Sequence, residues 1–256
     1  MKDKNIILLG VEDDTTKAVF NALNNQFGVR LAIIENRESL KIFLRRRIKK
    51  LGIIIVVGQV AFQLIIVKVL KLLSKKRYNT IIKENNLILD KIPVNKIKYV
   101  SSINNISTIA LIKTINPDLI IVNGTRIISK KVLQCVNCKF INIHSGITPM
   151  YRGVHGTYWA LVNNDGSNSG VTVHFVDEGI DTGGILSQKV VIPLKLDNFS
   201  TYPILQLCTG IKLLKEVVTN YFENKIITIN SVGKSKLYYH PTIWTYLYNR
   251  IIKKVK

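Results

Sequence analysis

Short apolar runs that recur between helix-like segments constrain this chain more than any other feature. Residues 5–10 (Asn-Ile-Ile-Leu-Leu-Gly) form one such run, closed by glycine, the pattern of a strand buried on both faces of a parallel sheet. Residues 15–25 place Ala18, Val19, Phe20 and Leu23 at helical spacing, and residues 29–35 read as a second strand. Downstream, Pro117-Asp118 introduces Leu119-Ile120-Ile121-Val122, closed by Asn123-Gly124, and residues 140–144 repeat the pattern. Residues 170–175 and 185–191 are alternating or β-branched and suit later strands. Residues 200–220 read as a helix and residues 240–256 as a basic, aromatic helical tail. Such alternation predicts an α/β fold with a mostly parallel, Rossmann-like sheet. No repeat or low-complexity linker divides the 256 residues. The expected organisation is a catalytic domain over residues 1–195, with a C-terminal helix and basic tail, residues 196–256, packed on it.

Charge singles out one segment. The net charge is +21, and residues 40–77 carry eleven basic side chains and no Asp or Glu. Between the two basic clusters lie residues 51–67, seventeen positions without a charge. That length is at the lower limit for a membrane span, and Gly52, Gly58, Gln59 and Gln63 dilute it. Strands on either side belong to one sheet, which opposes crossing a bilayer. Two readings stay open. One is a helical hairpin buried on the sheet or against a second subunit. The other is a helix lying on an anionic membrane surface. Three cysteines (Cys135, Cys138 and Cys208), an odd count, and the lack of a secretory leader suit a cytoplasmic protein, peripheral to the inner membrane face in the second reading. The single Cys135-x-x-Cys138 pair has no second pair beside it, and no metal site is expected.

The chemistry-bearing residues cluster between positions 142 and 184. Asn142 and His144 stand at i and i+2 of a strand, so both project from one face, with Cα atoms about 6–7 Å apart. Asp181 follows in the glycine-flanked acidic loop Asp177-Glu178-Gly179-Ile180-Asp181-Thr182-Gly183, after the strand Val171-Thr172-Val173-His174-Phe175-Val176. Loops at the carboxyl ends of strands are where α/β sheets place their sites. A lone histidine is more often a core residue, but Asn, His and Asp on converging strand ends favour function.

At these residues the chain resembles the folate-dependent formyltransferases. That family includes glycinamide ribonucleotide formyltransferase, the catalytic domain of methionyl-tRNA formyltransferase and the nucleotide-aminosugar N-formyltransferases. The pattern runs Asn142-Ile-His144-Ser-Gly-Ile-Thr-Pro149-Met-Tyr151-Arg152-Gly153, then Val173-His174-Phe175-Val176 and Asp181-Thr-Gly183, and it covers roughly residues 117–191. Ser145-Gly146 departs from the Pro-Ser more usual after the histidine, which should alter loop rigidity more than chemistry. The resemblance implies 10-formyltetrahydrofolate as donor, held near Arg126, Ile127, Ile128, Asp177, Glu178 and Ile180. It implies that Asn142 and His144 stabilise the developing oxyanion, while Asp181 orients His144, favours its charged form and accepts the amine proton.

Acceptor identity is a separate expectation. The turn Gly10-Val11-Glu12-Asp13-Asp14 brings three carboxylates to the place where purine-pathway members bind phosphate, so that substrate is disfavoured. The 65 residues after Val191 show one helix and a short tail rather than the β-barrel domain of the tRNA-directed members. A small amine remains, a nucleotide- or lipid-linked amino sugar of surface polysaccharide synthesis, with Tyr151, Arg152, His155, Tyr158 and Trp159 as candidates to hold it. Core packing is an equal alternative for Tyr158 and Trp159. The rival readings are a formyltetrahydrofolate hydrolase, which would need an amino-terminal regulatory domain ahead of Asn5, and an inactive basic nucleic-acid or membrane-surface binder on the same scaffold. Nucleic acid is the less favoured partner, and a homodimer stays open.

Overall fold

The computed structural model describes residues 4–256. Seven strands form one sheet in the order β3-β2-β1-β4-β5-β7-β8. The chain opens with β1 (Ile6–Val11), α1 (Asp14–Gln26) and β2 (Val29–Glu35). An insertion then intervenes before β3 (Ile97–Val100), α6 (Ile106–Ile115) and β4 (Leu119–Asn123). There follow α7 (Lys130–Leu133), β5 (Lys139–His144), β6 (Arg152–Gly153), α8 (Gly156–Val162), β7 (Gly170–Phe175) and β8 (Ile185–Val190). The chain ends with α9 (Tyr202–Phe222), β9 (Leu237–Tyr238) and α10 (Ile243–Ile251). Strands β1 to β5 pair in parallel, and β7 and β8 antiparallel.

Period-2 alternation divides the core between the two faces. Ile6, Leu8, Ala32 and Ile34 pack with α1 and α9, whereas Ile7, Leu9, Ile33 and Ile120 pack with Ile103 and Ile112 on the other face. Helix α9 lies close on the sheet at Gly210, where an added Cβ would stand 2.7 Å from Ile143 Cγ2. From β1 the chain builds outward through β2 and β3, then returns to add β4 and β5 on the other side. That reversal opens a crevice at the carboxyl ends of β1 and β4.

The insertion comprises α2 (Leu40–Leu51), α3 (Ile53–Ala61), a π-helical turn (Phe62–Val67), α4 (Lys68–Leu73) and α5 (Lys75–Glu84). Gly52, at φ +82°, supplies the left-handed corner between α2 and α3. It is not a hairpin buried on the sheet. Helix α2 buries no residue, and only 22% of the most apolar window of the 21-residue helix Ile53–Leu73 is buried. Val56, Gly58, Gln59 and Phe62 face the protein, with the Trp244 indole lying on Gly58. Phe62 joins a cluster with Tyr158, Phe199, Tyr202 and Tyr246. The return helix α5 buries Ile81, and Arg77 forms a two-pronged contact with Asp197, Nε to Oδ1 at 2.9 Å and Nη2 to Oδ2 at 3.3 Å.

The C-terminal segment does more than form a helical tail. Leu237 and Tyr238 pair with Arg152 and Gly153 in a two-stranded ribbon beside the crevice, and only Ile243–Ile251 of the tail is helical. That ribbon, β3 and α6 have no counterpart in the sequence-based element list. β6 and β9 are two residues each, too short for any periodicity to show.

Candidate active site

A cavity of about 500 Å³ occupies the crevice. Strand β5 delivers Asn142 and His144 to it, and the loop after β7 delivers Asp181. Asp177 shapes that loop by accepting the Gly179 N–H at 3.0 Å and the Thr182 hydroxyl at 2.6 Å. Asp181 sits at φ +51°, a left-handed conformation that aspartate tolerates better than most residues.

The three predicted side chains converge. His144, 5% exposed, directs Nε2 at the Tyr151 carbonyl oxygen at 2.7 Å and Nδ1 at Asp181 Oδ2 at 3.3 Å. A carbonyl only accepts, so Nε2 carries a proton and Nδ1 is left to exchange one with the carboxylate. Asp181 Oδ2 also accepts the Gly153 N–H at 2.9 Å, which ties the loop to β6.

In the sequence His174 is one more strand residue, and the structure gives it a specific task. Its Nδ1–H donates to the Phe175 carbonyl at 2.7 Å, so Nε2 is the acceptor for the Asn142 amide at 3.1 Å. Burial, with His144 nearby, lowers the His174 pKa, which favours the neutral ring that this contact requires. The Asn142 amide is thereby oriented, with its second N–H and its Oδ1 left for the cavity. The pairing Asn142↔His174 across β5 and β7 was the available signal, but only a strand register reveals it.

Other predicted residues divide by position. Arg126, Ile127, Ile128, His155, Asp177 and Ile180 line the cavity. Arg126 is held by its neighbours: its guanidinium donates to the Asn36 and Ser101 carbonyls, and its Nε lies 3.5 Å from the buried Glu35 carboxylate. Glu178 lies outside the cavity, paired at the surface with Lys130 at 3.2 Å, because the loop turns its side chain to solvent. Tyr151, Tyr158 and Trp159 do not reach the cavity either. Tyr151 donates its hydroxyl to Asp165, and burial pushes its pKa up strongly. Tyr158, 1% exposed, accepts from Asn249, and Trp159 donates to the Tyr239 carbonyl. These three are packing residues on and before α8, whose apolar faces close against α10 and β9. Asn123, closing β4, also lines the cavity. Gln206 is a cavity-lining residue that sequence reading missed; it sits in an apolar helix, and its place at the cavity is visible only in three dimensions.

Arg152 faces a second cavity of about 300 Å³ lined also by Thr148, Thr228, Ser231 and Ser235. It donates to the Ile180 carbonyl at 2.9 Å and to Ser235 Oγ at 2.7 Å. Asp181 lines both cavities. At the head of α1, Asp13 caps the helix by accepting the Thr16 N–H at 2.8 Å, with Asp14 paired to Lys17. Cys135 and Cys138 are half-buried in the core beside α7, and burial pushes the Cys138 pKa up to about 11.

The sheet order and the Asn–His–Asp convergence at strand carboxyl ends define a Rossmann-like α/β protein with its site at the switch point. The sequence profile described as formyl transferase matches residues 67–202, more than half of the chain, and the chain belongs to that family. A methionyl-tRNA formyltransferase from Thermodesulfovibrio yellowstonii is 35% identical over 108 residues, 42% of this chain and 35% of the relative. The matched stretch thus spans about a third of such a relative's length. Among solved structures, phosphoribosylglycinamide formyltransferase from Streptococcus pneumoniae superposes with a TM-score of 0.55 at 20% identity, over 86% of this chain and 99% of that one. An N-formyltransferase from Helicobacter canadensis, solved with folinic acid and dTDP-3-aminofucose, gives 0.56 at 17% identity, over 92% and 70%. The solved structures share the fold.

Proposed function

We propose that the chain is an N-formyltransferase that moves a formyl group from 10-formyltetrahydrofolate to the amine of a small amino sugar carried on a nucleotide or a lipid. The observation that carries the reading is the convergence of Asn142, His144 and Asp181 in a cavity large enough for a folate head group. Its apolar wall (Val122, Ile128, Val176, Ile180 and Leu207) suits a pteridine, and the donor, when bound, supplies an activated formyl carbon.

With the donor bound, the free Asn142 N–H would be available to donate to the formyl oxygen as it gains charge when the amine nitrogen bonds to its carbon. A proton shared between His144 Nδ1 and Asp181 stabilises the same charge. Asp181 then takes the proton that the amine loses, directly or through His144, and proton return to the folate nitrogen accompanies cleavage of its bond to the formyl carbon. His174 holds the Asn142 amide in register, so the donor is aimed before substrate arrives.

Asp181 lies at the junction of the two cavities, so the larger suits the folate and the smaller the acceptor, meeting at this carboxylate. Arg152 with Ser231 and Ser235 provides donors for a phosphorylated sugar. The capped head of α1, already holding Asp13, speaks against a ribonucleotide phosphate there. The Helicobacter canadensis protein with its bound aminofucose nucleotide supports the sugar reading by analogy of fold.

The deciding experiment follows tetrahydrofolate release from 10-formyltetrahydrofolate with a panel of nucleotide amino sugars, glycinamide ribonucleotide and methionyl-tRNA. Turnover that depends on an amino sugar and is lost in Asn142→Ala, His144→Ala and Asp181→Ala supports the reading. Turnover with methionyl-tRNA alone, release without any amine, or no folate binding overturns it.

A further inference from the structure

We propose that the insertion between β2 and β3 is a monotopic docking face that seats the protein on an anionic lipid bilayer. The proposal stands apart from formyl transfer and can fail or hold independently of it.

The helix Ile53–Leu73 carries two unlike faces. Val56, Gln59, Phe62, Ile66 and Leu70 recur at helical spacing toward the protein. The opposite stripe shows Ile54 at 73% exposure, Leu72 and Leu73 at 75%, and Val57, Leu64 and Ile65 each more than half exposed. The π-helical turn lets this stripe continue past Val67 into α4. Trp244 and Tyr248 of α10, both large and exposed, extend the apolar area beside α3. Surfaces of this size and apolarity mark an interaction site.

Charge names the partner. Of the eleven basic residues at 40–77, Arg46 pairs with Glu38, Arg47 turns inward to Gln59 and Arg77 binds Asp197. The other eight, Lys41, Lys49, Lys68 and Lys71 among them, have no acidic partner among the described residues. An apolar stripe with a cationic rim matches the acyl boundary and the acidic headgroups of a bilayer at once. A second copy is disfavoured, because matching this face to itself would bring sixteen unpaired cations together. Nucleic acid has no use for the stripe of isoleucine and leucine. The 21-residue helix is long and apolar enough to span, but its packing opposes that: one face lies along α10 and the Phe62 cluster, and α5 returns to the same sheet.

The face also adjoins the pocket. Gln59 donates to the His240 carbonyl at 2.7 Å, and Gln63 and His155 both contact His240 Nδ1, at 3.0 and 2.8 Å. His155 lines the larger cavity, so the docking helix and the pocket wall are one packed unit.

The test is co-sedimentation of the whole protein with phosphatidylcholine vesicles with and without about one-third phosphatidylglycerol, alongside emission of Trp244, which the lipid should shift to the blue. Binding should require the anionic lipid and weaken with salt. Each Lys→Glu change at Lys49 or Lys68 should reduce it about fivefold or more. Ile54→Glu with Leu72→Glu should abolish it while circular dichroism and melting stay as in wild type. Those positions are solvent-facing, so folding is unaffected. Equal binding to neutral and anionic vesicles, no binding to either, or a stable dimer that Leu72→Glu dissolves overturns the proposal. So does resistance to alkaline extraction from membranes, the mark of a span.

Discussion

Replacing Arg77 by leucine removes the cationic partner of a carboxylate that has no exposed side-chain surface. Asp197 keeps only neutral donors, the Leu194 N–H at 2.9 Å and the Thr201 hydroxyl at 3.2 Å. Breaking one side of a buried ion pair costs about 3–5 kcal/mol, because the remaining charge stays desolvated. Unfolding entropy is roughly 2.1 cal/mol/K per residue, or about 0.5 kcal/mol/K for 256 residues. A loss of about 4 kcal/mol therefore lowers the melting temperature by about 7 °C. The assay is thermal and urea unfolding of Arg77→Leu, Asp197→Asn and the double variant. The double variant should recover at least half of the loss, since the stranded charge is gone. The pair joins α5 to the start of α9, whose Pro203, Gln206 and Leu207 line the cavity, so donor affinity should fall with stability. A single-variant loss below about 1 kcal/mol, or a double variant as unstable as Arg77→Leu, refutes the reasoning.

Asp181→Asn retains an acceptor for the Gly153 N–H but cannot take a proton, so turnover should fall roughly 100- to 1000-fold with the donor KM little changed; loss confined to KM would contradict the assigned role. Gly146→Ala would set a methyl 2.2 Å from the Tyr151 oxygen and 2.7 Å from His144 Nε2. It should destabilise the protein by about 1–3 kcal/mol and depress turnover, and a wild-type melting curve would show the loop to be slack. Burial, then Arg47, lowers the His240 pKa to about 4, so the unfolded chain binds the extra proton between pH 6.5 and 4. Stability present above about pH 6.5 should decline by about 3 kcal/mol on acidification to about pH 4, and His240→Asn should flatten that slope in a pH series of urea melts. His174→Ala should slow turnover at least tenfold while leaving donor binding intact, because it frees the Asn142 amide to rotate; a change in binding alone would contradict that.

Most of the sheet was legible because its strands are apolar runs bounded by glycine, asparagine or proline, and periodicity reports such burial directly. Asn142, His144 and Asp181 were legible as a trio because two share one strand face and the third ends a loop with its own glycine signature. Their distances were not, since convergence depends on β5 lying beside β7. His174 reads in sequence as one more strand residue; only the antiparallel register makes it the partner of Asn142. The aromatic residues after Pro149 stayed open because an aromatic beside an arginine suits sugar binding and core packing equally; in the structure Tyr158 and Trp159 pack in the cluster around Phe62. The insertion was the reverse case: composition left a hairpin packed on the sheet or a second subunit level with a membrane-surface helix, and the structure shows only that most of the helix is not packed on the sheet.

A crossover between neighbouring strands can grow without disturbing the strands it joins, because the closure entropy of a longer connection rises by only about 0.6 kcal/mol per doubling of length. The β2-to-β3 connection is on the far side of the sheet from β5 and β7, and everything from Leu40 to Ser74 has been hung on it. The pairing of the strands that carry the reacting groups is therefore independent of the length of that arm, while its inner face stays tied to the pocket wall through Gln59, His240 and His155.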